Sequence, residues 1–269
     1  MARTLTRRTR RQEQIQQAVI LDRLTAKYQP LIRNEINAAM RRYARAYGDG
    51  NTLAMTAVEQ GHIERTERLM NRLWRESGSV FADRVIEAAK SSNQRITKDE
   101  IPTTEQANRI IAAWMLSYGG RKITQITSTT MRDINAIIAM GIEQGLSERE
   151  VAREIAIIAP TKSASRAQTI ARTETHAASQ GATQEMAEAT NLQMVRVWTT
   201  AIDERTRNLS DGASFDHVAA DGQRRGMNEP FVIEGIDGPE QLMYPGDPDG
   251  SAGNVINCRC CLVFELADN

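Results

Sequence analysis

The hydrophobic period of this chain changes once, and that change limits what it can build. From Glu13 to about Thr190, apolar residues recur every three or four positions, the spacing that gathers them on one face of an α-helix. After Asn191 they alternate: Val195, Val197 and Thr199 point one way, and Arg196, Trp198 and Thr200 the other, as in a half-buried strand. The expected fold class is α+β, a mostly α-helical N-terminal region followed by a small α+β C-terminal module. An aromatic content of 4% with abundant Ala, Arg, Gln, Ile and Glu favours extended helix packing, while 41% apolar residues are enough to bury a core.

The helical part reads as a string of short helices with small connectors. Ile15, Val19, Leu24, Tyr28, Leu31, Ile32, Ile36, Met40, Tyr43 and Tyr47 share one face, with Pro30 expected to kink or split the run and Gly48-Asp49-Gly50 to end it. Asn51 is placed to cap a second helix that lasts to Ser77-Gly78, and a third starts near Ser79. Thr103 with Gln106, and Ser147 with Glu150, have the form of capping boxes. The first opens a helix through Leu116, punctuated by Gly119-Gly120; the second opens one that Pro160 should stop. Ser163 or Ser165 then starts a long helix to about Thr190. His62 lies among Glu64, Arg65 and Glu67 and reads as a solvated surface histidine without a role. No fixed-period repeat is present.

Charge divides the chain differently. The formal net charge is zero, yet residues 1–50 hold 11 Lys and Arg against 4 Asp and Glu, and residues 200–269 hold 5 against 13. Residues 1–12 carry Arg3, Arg7, Arg8, Arg10 and Arg11 with no acid, so they read as a mobile basic arm. Such an arm is either a solvated tail or a set of phosphate contacts that release counterions from DNA. The three cysteines all fall near the end, which is not a spaced disulfide framework and fits a reducing compartment. Apolar runs are far shorter than a bilayer span and no apolar signal core follows the basic start, so a soluble, unexported protein is expected. The division expected is 1–12 arm, 13–160 helical region and 161–269 module.

Chemistry-bearing residues concentrate in that module. His217, Cys258, Cys260 and Cys261, with Asp221 or His176, offer enough donors for a tetrahedral Zn²⁺. Against this, the spacing is not the Cys-x-x-Cys knuckle, and adjacent cysteines on a strand point to opposite faces. The alternative is that Cys258 and Cys260 share a face and pack as small apolar groups while His217 and Asp221 bond loop backbone. On that second reading no metal, cofactor or catalytic residue is assigned. An enzymatic alternative is a metal-dependent nuclease or other phosphodiester enzyme using the His217/Asp221 loop, with His217 as base, Asp203 or Asp221 as orienter and Arg259 on a phosphate. An acidic module without a Gly-rich phosphate loop argues against it. A host-directed effector is weaker still, because nothing beyond Leu266 reads as a toxin domain. The central run Ile170 to Gln180, with Arg172, Thr173, Glu174 and His176 among small residues, reads as a helix packed closely on one side, its polar groups fixing that packing.

The ordered set Arg172-Thr173-Glu174, Trp198, Asp203, His217, Asp221-Gly222, Gly246-Asp247-Pro248 and Cys258-Arg259-Cys260 resembles the phage Mu F-like head-morphogenesis family over roughly residues 165–267. Here the lead into Cys258 is Gly253 to Asn257 where that family often has His-Pro, and Cys261 is added. The resemblance implies a non-enzymatic minor capsid protein that joins the procapsid near the portal and supports head assembly and genome packaging or delivery. It implies the portal protein and/or the major capsid protein as partners, with packaged double-stranded DNA as a further contact and no membrane. Several copies per particle would sit in the virion, inside the head and near the portal, after assembly in the host cytoplasm.

Overall fold

The computed structural model describes residues 6–90, 101–190 and 192–266. Four long helices come first: α1 (Arg7–Gly48), α2 (Thr52–Lys90), α3 (Thr104–Glu143) and α4 (Glu148–Ala189). The expected string of short helices is therefore corrected, since Pro30, Ser77-Gly78, Gly119-Gly120 and Pro160 all lie inside helices. Pro30 and Ala26 are both exposed, so the carbonyl that loses its donor to proline is left to water and the helix continues. Gly78 serves packing rather than termination, because a Cβ there would stand 3.1 Å from Ile111 Cγ2 on α3.

The helix starts follow the sequence closely. Ala54 N donates to Asn51 Oδ1 at 2.9 Å, capping α2. Thr103 and Gln106 exchange both capping-box bonds, at 2.7 and 3.2 Å, and Ser147 and Glu150 do the same at 2.8 and 3.4 Å. Residues 7–12, expected in a mobile arm, are instead the first turns of α1, with Thr9 N donating to Thr6 Oγ1 at 3.2 Å. Arg3 lies outside the described residues.

Two compact units form without following chain order: one from Met1–Leu24, Trp74–Met115 and Thr173–Asn269, the other from Thr25–Leu73 and Leu116–Arg172. The second unit is all helix. Its core holds Tyr28, Ile32, Ile36, Met40, Met70, Leu73, Ile134 and Ile155, and Tyr28 Oη donates to Arg72 O at 3.2 Å. His62 belongs to this interior, a correction to its surface reading. It is 1% exposed, with Nδ1 3.0 Å from Glu35 Oε1 and Nε2 3.2 Å from Thr130 Oγ1. Of its charged sequence neighbours, Glu64 and Glu67 are exposed, whereas Arg65 Nε donates to the same Glu35 Oε1 at 3.0 Å; Glu35, brought in from α1, supplies the polar partner that burial requires.

The first unit carries the strands: β1 (Met194–Thr199), β2 (Arg224–Arg225), β3 (Phe231–Ile233), β4 (Glu240–Leu242) and β5 (Cys261–Leu266), with a one-turn helix α5 (Ala252–Val255) between β4 and β5. An antiparallel sheet runs β2-β1-β5, pairing Val197 with Val263 and Thr199 with Cys261, and β3 and β4 form a separate antiparallel pair. A core of Trp198, Ala220, Phe231, Ile233, Leu242, Tyr244, Cys258, Cys260 and Leu262 lies between these strands. In the same unit every residue of α4 from Thr173 to Gln184 is buried. Small side chains make this possible: a Cβ on Gly181 would come within 2.3 Å of Trp114 Nε1, which donates to Tyr244 Oη at 3.1 Å.

Candidate functional site

One stripe of α4 is bonded, residue by residue, to the chain from Asn257 to Leu262. Asn257 N donates to Thr173 Oγ1 at 3.1 Å, His176 Nε2 lies 2.7 Å from Cys260 O, and Leu262 N donates to Gln180 Oε1 at 2.8 Å. Positions 173, 176 and 180 share a helical face, so the helix rises in step with the extended segment beside it. Gln17 of α1 completes the arrangement, donating to Leu262 O at 3.0 Å and accepting from Gln180 Nε2 at 3.1 Å. His176 is thus a satisfied buried histidine, as its surroundings in sequence suggest. Glu174, also buried, accepts from Trp74 Nε1 at 3.1 Å. Arg172 is half-buried and falls in the other unit, apart from the residues 173–184 that grip the strand.

Asn257, the residue before the Cys-Arg-Cys stretch, has φ 58, a left-handed conformation that Asn adopts at small cost. The chain then sends Cys258 and Cys260 inward and Arg259 outward to Asp203, with Arg259 Nη1 2.6 Å from Asp203 Oδ2. Asp203 also accepts from Arg205 N at 3.1 Å and holds the turn after Ile202, a β-branched residue at φ 46. The Arg259 guanidinium, helped by Arg205 N–H and Thr206, holds the Asp203 carboxyl well below the usual carboxylate range. Because the folded state lowers this pKa, the stabilisation is present above about pH 4 and fades as pH falls through the folded value. Asp203→Asn should therefore lower the melting temperature at pH 7, with the gap to wild type narrowing in acid. The pair is partly exposed and screened, so about 0.5–1 kcal/mol is expected. A gap unchanged between pH 7 and strongly acid solution would mean that the pair is not its source.

On the inner side, His217, Cys258 and Cys260 converge. His217 Nδ1 is 3.3 Å from Cys260 Sγ and 3.7 Å from Cys258 Sγ, and all three residues are buried. His217 Nε2 lies 2.6 Å from Asn254 Oδ1, and Asn254 Nδ2 donates to Glu240 Oε2 at 2.7 Å. Cys260 and His217 push the Cys258 thiol down against burial, whereas burial and the Cys258 charge push Cys260 up. Cys258 and Cys260 share a face as expected. The reading that His217 bonds loop backbone is corrected, because its ring takes the Asn254 amide and the sulfurs. Asp221 does bond backbone, accepting from Thr200 N at 3.0 Å. Cys261 faces away, where Glu13 and Asp221 join burial in raising its thiol pKa.

The other expected members have structural partners. Trp198 stacks edge-on against His217 at 5.6 Å and Phe231 at 5.4 Å. Gly222, at φ 82, lets its N–H reach Trp198 O at 2.8 Å while the Arg10 guanidinium lies where a Cβ would meet it at 3.2 Å. Arg11 donates to Thr200 O at 3.2 Å, and Arg7, Arg8, Arg10 and Arg11 line a cavity of about 410 Å³ with Thr199, Thr200, Ile202 and Asp221. The residues of the phosphodiester alternative have separate engagements: His217 with Asn254 and the sulfurs, Asp221 with Thr200, Arg259 with Asp203. His217 is 1% exposed, so this geometry does not present a solvent-facing base.

Arg196 is the residue that sequence reasoning missed. It is fully buried on β1 and donates to Gly226 O at 2.7 Å through Nη2, to Gln184 Oε1 at 3.0 Å, and to the carbonyls of Glu229 and Met243. The strand pattern placed it opposite Val197, but nothing in it showed that both faces of β1 would be covered.

An α+β module whose buried helix is laced to a Cys-Arg-Cys segment is the class of domain that these elements define. Residues 132–263 match the family described as phage Mu protein F like protein, and that stretch is similar to the members of this family. A relative described as "Uncharacterized protein YqbB", from Bacillus subtilis (strain 168), is 24% identical over 212 residues, covering 79% of this chain and 63% of its own length. The chain thus spans less than two thirds of that relative. No solved structure matches.

Proposed function

We propose that this chain is a minor head protein of a tailed phage, joining the procapsid near the portal and supporting head assembly and genome packaging or delivery by binding rather than turnover. The observation that carries this reading is the coincidence of the family match over 132–263 with the helix-and-strand module built around α4 and β5. Portal or major capsid protein is the partner that this reading calls for, with a place inside the virion head. No described helix is long and apolar enough to cross a membrane.

DNA contact belongs to the same proposal, narrowed by the fold. Arg11 is committed to Gln14 and Thr200, and Arg10 is half-buried, leaving Arg7 and Arg8 exposed on the first turn of α1. Cations at a helix N-terminus oppose the macrodipole, an arrangement that an approaching phosphate relieves. Arg7→Gln with Arg8→Gln should weaken DNA binding and flatten its salt dependence by about one logarithmic unit for each phosphate that is no longer neutralised. Unchanged affinity at physiological salt would remove DNA from the proposal. Mass spectrometry of purified procapsids and virions tests the rest: several copies per particle are expected, and absence from both particles would overturn the assembly role.

A further inference from the structure

We infer that His217, Cys258 and Cys260 form a zinc site, with His217 Nδ1 and the two sulfurs as ligands and a water or similar small donor in the fourth place. The three ligand atoms lie within 4.8 Å of one another. With Zn–S near 2.3 Å and Zn–N near 2.05 Å, a tetrahedral ion sets nitrogen and sulfur about 3.5–3.6 Å apart. The observed separations of 3.3 and 3.7 Å straddle that value.

The surroundings prepare these atoms as ligands. Glu240 can only accept, so the Asn254 amide turns its NH₂ to the carboxylate and its oxygen to His217. His217 must then carry its proton on Nε2, which leaves the Nδ1 lone pair facing the sulfurs. A carboxylate acting through an amide on the far nitrogen of a histidine is the kind of outer support that metal-bound imidazoles require. The Trp198 indole, edge-on to the His217 ring at 5.6 Å, helps hold that ring in place beside the sulfurs. Zinc would displace both thiol protons, and two thiolates neutralise one Zn²⁺, so the filled site carries no net charge into the interior. A sulfur and imidazole donor set selects zinc over magnesium or calcium.

The consequence is a cross-link. His217 and Cys260 are 43 positions apart in sequence, and a shared ion ties the loop after β1 to the segment entering β5. This holds whether or not the protein enters a virion head. The test uses the full chain, purified under reducing conditions and equilibrated with zinc against a weak competing chelator. Native mass spectrometry and elemental analysis should find close to one zinc per chain, released by titrating two thiols with a mercurial. Cobalt substitution should give an intense tetrahedral spectrum with a sulfur-to-cobalt charge-transfer band. Cys258→Ser and Cys260→Ser should each lower zinc affinity at least about tenfold, and Cys261→Ser should leave it unchanged. Substoichiometric zinc in the reduced wild-type chain, or cobalt bound without the sulfur band, would overturn the assignment even if the serine variants failed to fold. Zinc retained by both serine variants would overturn it as well.

Discussion

Arg196→Met is expected to lower the unfolding free energy by about 3–5 kcal/mol, the largest loss from any single polar side chain in the module. The guanidinium is fully buried, and its planar fork joins the Gly226, Glu229 and Met243 carbonyls and the Gln184 amide oxygen in one network. Methionine fills much of the space but leaves these acceptors without a donor inside the protein, and each buried orphan costs about 1–3 kcal/mol. Arg196→Lys keeps the charge yet cannot reproduce the fork, so it should recover only part of the loss. The guanidinium also sits over the Phe231 ring at 5.2 Å, an interaction that methionine keeps only as packing. Urea unfolding of the three proteins measures the series. A methionine variant within about 1 kcal/mol of wild type would show that water satisfies these loops.

Trp198→Ala should cost about 3–5 kcal/mol, while Trp198→Phe should cost under about 1.5 kcal/mol. Trp198 is 0% exposed and lies at the centre of the core formed by Phe231, Ile233, Leu242 and Leu262, so alanine opens a cavity that two short strand pairs cannot close by shifting. Phenylalanine keeps the ring and removes an indole N–H that has no oxygen or nitrogen partner among the described residues. Both variants are to be compared after chelator treatment, so that packing alone is read. If phenylalanine were as damaging as alanine, the indole N–H would have to be making a bond that matters to folding.

Much of this architecture was legible in the sequence, and the failures have physical causes. Asn51, Thr103 with Gln106, and Ser147 with Glu150 act locally, since a cap is satisfied within three residues, and all three starts are found as read. Pro30, Gly78 and Pro160 misled because a local penalty of about 1–3 kcal/mol is weighed against the packing of a whole helix. His62 and Arg196 misled for a shared reason: their partners, Glu35 and Thr130 for one and the loops from Gly226 to Met243 for the other, are remote in sequence. The donors of the His217 cluster were all visible, and so was the shared face of Cys258 and Cys260. What sequence could not show was that His217 turns its free nitrogen toward both sulfurs, which depends on Asn254 and Glu240 from two other segments.

The side-chain amides on Leu262 have a consequence for assembly. β5 is an outer strand of its sheet, and outer strands invite a neighbouring chain to add a strand of its own. Gln17 and Gln180 occupy the Leu262 C=O and N–H that an incoming strand would need, and at the opposite margin β2 is only two residues long. Copies crowded together are thereby denied the commonest route to runaway fibril growth. Recognition by strand addition at Leu262 is closed by the same two glutamines, so a partner of this sheet must be read through side chains.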